Sequence, residues 1–166
     1  MSSPSIDIII PNFNKGNFLE ECILSVINQS YSNWKIYIID DNSNDKSREI
    51  LNKYVDNNKI NIVLLKKNKG PSFCRNLGIR ISTSEFIAFL DSDDYWSKDK
   101  LKNQINFMQK ENFQFTYTDY TSIFTKGKIN LFKKTKIKES FNFVEFTRNS
   151  SINSSTMILT RKIIKN

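Results

Sequence analysis

Short apolar runs alternate with stretches whose apolar residues keep helical spacing, and this alternation organises the first 119 residues. Residues 6–11 (Ile-Asp-Ile-Ile-Ile-Pro) read as a first strand, with Pro11 unable to continue a central ladder. A polar turn, residues 12–16, follows. Asn17 suits the N-cap of a helix in which Phe18, Leu19, Cys22, Ile23, Val26 and Ile27 keep the i, i+3, i+4 spacing to about Ser30. Residues 34–40 predict a second strand that ends in an acidic loop, Asp40-Asp41-Asn42-Ser43-Asn44-Asp45. Residues 46–55 return as an amphipathic helix with Ile50, Leu51, Tyr54 and Val55 inward, and residues 60–65 form a third apolar strand. Gly70-Pro71 breaks the chain, and Pro71 fits the first turn of the next helix.

The most informative run comes next. Five apolar residues, Phe86 to Leu90, lead straight into Asp91-Ser92-Asp93-Asp94. Such a run reads as a strand covered on both faces. A helix over residues 98–110 follows, with Leu101, Ile105 and Met108 inward and Ser97 or Asp94 as its N-cap. Strands and helices in short alternation predict right-handed parallel crossovers. The expected fold is therefore α/β: a mostly parallel central sheet with helices on both faces, and polar loops after strands one, two and four meeting in one cleft.

Beyond Asp119 the pattern changes. Residues 113–120 and 122–132 read as strands, with residues 125–128 as a turn, so this part is β-rich. Residues 141–147 predict a short helix and residues 156–160 a strand leading into Arg161. Lys126, Lys128, Lys133, Lys134, Lys136 and Lys138 make the hairpin basic. One explanation is a solvated edge that blocks strand pairing. The other is docking to anionic lipid or to a phosphorylated acceptor.

Composition narrows the chemistry. A chain of 166 residues, 39% hydrophobic and 25% charged, fits one globular domain with a sizeable core. No apolar run approaches the roughly 20 residues of a membrane-spanning helix. The start of the chain also lacks the pattern of a signal peptide, so the expected location is the cytoplasm. There is no histidine, which removes Ser-His-Asp and Cys-His catalysis and every His-ligated zinc site. Cys22 and Cys74 fall in separate helices and read as buried thiols. Carboxylates are what is left, set against a net charge of +8 that favours phosphate-bearing partners or an anionic surface.

Asp91 and Asp93 stand at the carboxyl end of a buried strand, where an open α/β sheet holds its ligands. Crowded carboxylates repel unless a cation compensates them, and oxygen-rich sites suit magnesium or manganese. An acidic turn that merely caps the following helix is the plainer alternative. Lys69 and Arg75 flank a helix start at the same sheet edge and could face a phosphate, whereas Lys66 and Lys67 read as solvated.

Several stretches, in order, resemble family 2 glycosyltransferases: Ile8 to Lys15 (Ile-Ile-Ile-Pro-Asn-Phe-Asn-Lys), Ser25 to Tyr31, Ile39 to Asp45, Asn68 to Ser72, Arg75 to Ile79, and Phe89 to Trp96 (Phe-Leu-Asp-Ser-Asp-Asp-Tyr-Trp). The resemblance implies a Rossmann-like GT-A sandwich whose N-terminal part, residues 1–119, binds a nucleotide sugar, with residues 120–166 beginning the acceptor side of one domain. It implies that Pro11 and Phe13 hold the nucleobase, Asp41 the base or ribose, Asp91 the ribose and Ser92 the donor. Asp93, as in the family's DxD motif, would hold the divalent cation, Mn or Mg, with Lys69 and Arg75 near ribose and phosphates. It further implies a uridine-type nucleoside diphosphate sugar, a glycan or lipid-linked acceptor and a role in polysaccharide and cell-envelope biosynthesis. With the net charge, it places the protein at the inner face of the membrane, with peripheral membrane contact.

The resemblance supplies no general base. Asp119 and Glu145 are the later acids with a claim, apart from Glu139 in the basic segment, and the family usually draws its base from an acidic motif further downstream. The expectation is therefore a truncated catalytic domain. The leading reading is an inverting transferase, and the alternative a nucleotide-sugar-binding module that transfers poorly. A haloacid-dehalogenase-type phosphatase would also fit Asp91-x-Asp93, but Tyr95 stands where that family has threonine or valine. A nucleic-acid binder is disfavoured because the aromatics are not interleaved with lysines.

Overall fold

The computed structural model describes residues 3–126, 129–140 and 152–164. Among them, eight strands and four α-helices follow the expected alternation: β1 (Ile6–Asn12), α1 (Leu19–Ile27), β2 (Trp34–Asp40), α2 (Ser47–Asn52), β3 (Ile60–Leu64), α3 (Pro71–Ile81), β4 (Phe86–Phe89), α4 (Lys100–Glu111), β5 (Phe115–Thr116), β6 (Tyr120–Lys126), β7 (Ile129–Thr135) and β8 (Ile158–Thr160). The main sheet has the order β3-β2-β1-β4-β8-β5, and β6 pairs with β7 alone. β1 to β4 are parallel, and β8 joins antiparallel to both β4 and β5.

Both faces of the sheet are covered, as expected, but unequally. Alternate residues of one strand supply the two cores, because successive side chains point to opposite faces. Ile6, Ile8 and Ile10 of β1 pack with Leu19, Cys22, Ile23 and Val26 of α1, Ile50 and Leu51 of α2, and Leu101, Ile105 and Met108 of α4. Ile9 of β1 packs with Cys74 on α3 and with Ile39, Ile87 and Phe89 on the other face. α3 approaches very closely: a Cβ on Gly78 would overlap Ile9 Cγ2, so glycine is what lets this helix lie flat on β1.

Several boundaries differ from the sequence pattern, each for a local reason. β1 continues through Pro11, which pairs with Ile39, to Asn12. The ladder toward β4 has already ended at Ile9 and Phe89 on the side to which the absent proline amide would point, so no bond is lost. Asn17 is not the N-cap of α1. Phe18 takes that position without a side-chain cap, and the amides of Phe18 and Leu19 both bond Lys15 O at 2.9 Å. Neither Ser97 nor Asp94 caps α4. Gln29, buried between α1 and α4, accepts from Leu101 N with Oε1 and donates to Ser97 O with Nε2. The strand expected over residues 113–120 shrinks to Phe115–Thr116, because Asn112 adopts a left-handed conformation (φ 56°) and Phe113 N bonds Met108 O, closing α4. The basic hairpin is present as β6 and β7, and the helix expected over residues 141–147, with Glu145, lies outside the described residues.

Candidate active site

The strand order places β2 and β3 on one side of β1 and β4 on the other, so the chain reverses its direction of travel across the sheet at the β1–β4 pair. Ligands of open α/β sheets bind in the crevice outside the carboxyl ends of strands at such a point. Three loops meet there. The β1–α1 loop packs on the β2–α2 loop through Asn12 Nδ2, which donates to Asp40 Oδ2 at 3.0 Å and to Ser43 Oγ at 3.2 Å, and through Gly16 N, which donates to Asp45 Oδ2 at 2.8 Å. Asn14 and Asn42 take positive φ (53° and 65°), a conformation asparagine tolerates better than most residues. The asparagines of these loops are thus conformational choices as much as polar ones.

The loop before α3 is pinned to the same place. Asp41 accepts from Lys69 N with one carboxylate oxygen and from Gly70 N with the other, both at 2.7 Å. Gly70 has φ 86°, the one described glycine in the left-handed region, which lets both amides turn toward Asp41. Lys69 contributes its backbone to this contact. Its ammonium lies 5.9 Å from the Phe73 ring centroid, and the side chain is absent from the cavity lining.

The other expected residues converge. Pro11, Phe13, Asp41, Arg75, Asp91, Ser92 and Asp93 line one cavity of about 450 Å³, with Asn12, Asn68 and Cys74 between them. Phe13, in this lining, is 46% exposed. Burial, with the nearby Asp41 carboxylate, pushes the Cys74 thiol up to about 11, so it stays protonated and inert at neutral pH.

The acidic strand end is compensated residue by residue. Arg75 Nη2 lies 2.5 Å from Asp91 Oδ1 and 3.3 Å from Ser154 Oγ, while Ser154 Oγ donates to Asp91 Oδ2 at 2.8 Å. Lys15 Nζ lies 2.6 Å from Asp93 Oδ2. Asp94 turns inward, where Ser155 Oγ donates to it at 2.5 Å and accepts from Asp91 N at 3.0 Å. Burial raises the Asp94 carboxyl above its ordinary range, with the neighbouring Asp93 and Asp91 charges adding and the Ser155 hydroxyl opposing. Three neighbouring acids therefore have three different roles: one is tied to Arg75, one is exposed on Lys15 and one is half-buried against a serine.

The sequence pattern gives Lys15, Ser154 and Ser155 no role at the site, and Asp94 only that of a candidate helix cap. Ser154 and Ser155 sit in a polar stretch without hydrophobic period, and only the return of the chain through β8 beside β4 brings them to the acidic motif. Trp96 fixes the same segment by donating from Nε1 to Ser155 O at 2.7 Å.

A second, larger cavity of about 860 Å³ adjoins the first and shares Lys15, Asp91 and Asp93 with it. Phe18, Tyr95, Trp96, Asp119, residues 120–123 of β6 and Phe132 of β7 complete much of its wall. Asp119 is in place there, but its Oδ1 accepts from Ile137 N at 2.9 Å and so pins the base of the hairpin. Lys100 lies beneath, with Nζ 3.9 Å from the Trp96 ring centroid and no hydrogen-bond partner among the described residues. Burial pushes its pKa down to about 7.

No group of three or more acidic or cysteine side chains among the described residues is placed to enclose a metal. That suits a cation held partly by substrate, since magnesium is commonly bound through one or two carboxylates together with phosphate oxygens and water. Asp93 fits such a role. Its side chain is 40% exposed, and its one ion-pair partner among the described residues is a lysine on a flexible stem.

The chain is similar to known proteins in both sequence and fold. Residues 7–165 match the sequence family described as glycosyl transferase family 2. An Escherichia coli UDP-Glc:alpha-D-GlcNAc-diphosphoundecaprenol beta-1,3-glucosyltransferase is 34% identical, over 97% of this chain and 62% of its own length. The chain spans about two thirds or less of the length of the curated relatives it matches. Two solved structures share the fold: Staphylococcus aureus TarS in complex with UDP-GlcNAc, with a TM-score of 0.73 at 22% identity over 97% of this chain and 46% of that one, and a Pyrobaculum calidifontis mannosyltransferase in complex with GDP-Man and Mn²⁺, with a TM-score of 0.73 at 15% identity over 99% and 47%. These two structures hold different nucleotides on one fold.

Proposed function

The chain belongs to glycosyl transferase family 2, and on that premise we propose that it moves a sugar with inversion from a uridine-type nucleoside diphosphate donor to a lipid-linked glycan acceptor. The observation that carries this reading is the convergence of Pro11, Phe13, Asp41, Asp91 and Asp93 on one cavity at the β1–β4 reversal. Phe13 and Pro11 offer an apolar wall for a nucleobase. Asp41 keeps free lone pairs on oxygens already oriented by two amides, which suits a donor N–H of the base or a ribose hydroxyl. Asp91 and Ser92, with Arg75 held beside them, suit the ribose and the phosphates.

In the proposed reaction an acceptor hydroxyl enters from the larger cavity and attacks the anomeric carbon. The bond from that carbon to the diphosphate oxygen breaks, the nucleoside diphosphate leaves, and the hydroxyl proton passes to a base. A divalent cation, Mn²⁺ or Mg²⁺, held by Asp93 and the donor's phosphate oxygens would neutralise charge developing on the leaving group. Among the described residues Asp119 is the carboxylate of the larger cavity outside the strand-end motif, and it is the candidate base there. The E. coli relative's named acceptor, a diphosphoundecaprenol-linked sugar, supports a lipid-linked acceptor and cell-envelope polysaccharide synthesis. We place the protein at the cytoplasmic face of the membrane. The basic β6–β7 hairpin would make a peripheral contact there; among the described residues no helix is long and apolar enough to cross a bilayer.

The test is a UDP titration with Mn²⁺ present. Asp93→Ala should lose most of the affinity while keeping its circular dichroism, and Asp41→Ala should lose about 1–3 kcal/mol, as for a hydrogen bond to a charged group. Binding that ignores a chelator, or that Asp93→Ala leaves intact, would refute the reading.

A further inference from the structure

Lys15 is the cation that joins the two cavities. The backbone that carries it is fixed, because its carbonyl accepts both amides that start α1. Its side chain is not, being 43% exposed with one ion-pair contact among the described residues, 2.6 Å to Asp93 Oδ2. The other basic groups nearby are committed. Arg75 is tied to Asp91 and Ser154, Lys100 is buried over Trp96, and Lys69 points toward Phe73. Among the described residues, Lys15 is therefore the cation of the cleft that can change partners.

We propose that Lys15 is an exchangeable counter-cation: without donor it neutralises Asp93, and when a nucleoside diphosphate enters with its metal, Lys15 releases Asp93 and bonds the diphosphate. The inference rests on the donor-site reading above. Its logic is electrostatic. A divalent cation arriving alone must displace an ammonium from its carboxylate and leave the two cations side by side, which is repulsive in a partly desolvated cleft. A diphosphate arriving with the metal gives the displaced ammonium a new anionic partner. Lys15 thus disfavours metal alone and favours metal and diphosphate together, so the two bind cooperatively through a residue outside the acidic motif.

The experiment measures Mn²⁺ binding alone, from the loss of the free Mn²⁺ resonance signal, and UDP binding at saturating Mn²⁺ by calorimetry. Lys15→Met keeps the stem and removes the charge, and Lys15→Arg keeps the charge. Lys15→Met should bind Mn²⁺ alone about tenfold more tightly than the parent and UDP about tenfold more weakly, corresponding to about 1.4 kcal/mol each. Lys15→Arg should stay near the parent in both. Unchanged or weaker Mn²⁺ binding by Lys15→Met, or unchanged UDP binding, overturns the proposal. Asp93→Ala separates the two failures. If it binds UDP with Mn²⁺ as the parent does, the donor-site reading has failed; if it loses that binding while Lys15→Met matches the parent, this inference alone has failed.

Discussion

Arg75, one turn into α3, reaches the end of β4 and places Nη2 2.5 Å from Asp91 Oδ1, with Ser154 bonded to both side chains. The contact joins three chain segments that are distant in sequence. Because both side chains are about three-tenths exposed or less, the pair is worth more than a surface ion pair but is not fully desolvated. Arg75→Met and Asp91→Asn should each lower stability by about 1–2 kcal/mol, and the double variant should lose less than the sum. Urea unfolding of the four proteins checks this. Additive losses would mean that the two residues act separately.

The fold was legible because its signals are local. Five apolar residues before Asp91, the Gly70-Pro71 break and the asparagine-rich loops each state a strand, a helix start or a turn, and the parallel order follows from their alternation. The residues proposed to hold the donor were named by resemblance, and of these Pro11, Phe13, Asp41, Asp91, Ser92 and Asp93 line one cavity. The compensation of the acids was not. The partners of Asp91 and Asp94 come from Ser154 and Ser155, about sixty residues downstream in a stretch without period, and the cap of α4 comes from Gln29 in another loop. Such pairings are set by tertiary packing, which periodicity does not report. Lys69 shows the same limit: its amide serves Asp41, while its side chain, which the sequence made interesting, points elsewhere.

Lys100 lies under the larger cavity with a pKa lowered by burial from 10.5 to about 7. For a base depressed in the folded state, the unfolded chain holds more protons between those two values, so stability rises with pH from about 7 to 10.5 and is flat below. The Trp96 ring face opposes this by attracting the charged form. Lys100→Met should therefore be more stable than the parent at pH 7, by roughly 2 kcal/mol after that offset, and the gap should narrow as pH approaches 10. Denaturation at pH 6, 7.5 and 9.5 reads it. A gap that does not change with pH would mean that Lys100 keeps its charge throughout.

The β6–β7 hairpin carries the last prediction. Its register pairs Ile123 with Phe132 and Phe124 with Leu131 toward the turn, and Ser122 with Lys133 and Thr121 with Lys134 toward its base. All four apolar residues are exposed, Phe132 by 67%, as are Lys133, Lys134 and Lys136. Ile123 and Phe132 line the larger cavity, and a solvated edge would explain the lysines but not the other pair, Phe124 and Leu131, since a two-stranded hairpin gains nothing by exposing apolar side chains to water. Apolar pairs with lysines on both sides along the chain are instead an arrangement that suits the headgroup layer of an anionic bilayer, where rings bury and ammonium groups meet phosphates. Such a segment would bring the adjoining cavity to the surface where a lipid-linked acceptor is presented. The protein should sediment with phosphatidylglycerol-containing vesicles at low salt, release as salt rises, and ignore pure phosphatidylcholine. Reversing Lys133 and Lys134 to glutamate, at about 1 kcal/mol for each lysine charge lost near the surface, should weaken that binding tenfold or more, and Leu131→Ser, outside the cavity wall, should weaken it at every salt concentration while UDP affinity is kept. Equal sedimentation of these variants and the parent would refute the assignment and leave the lysines as solvated edge.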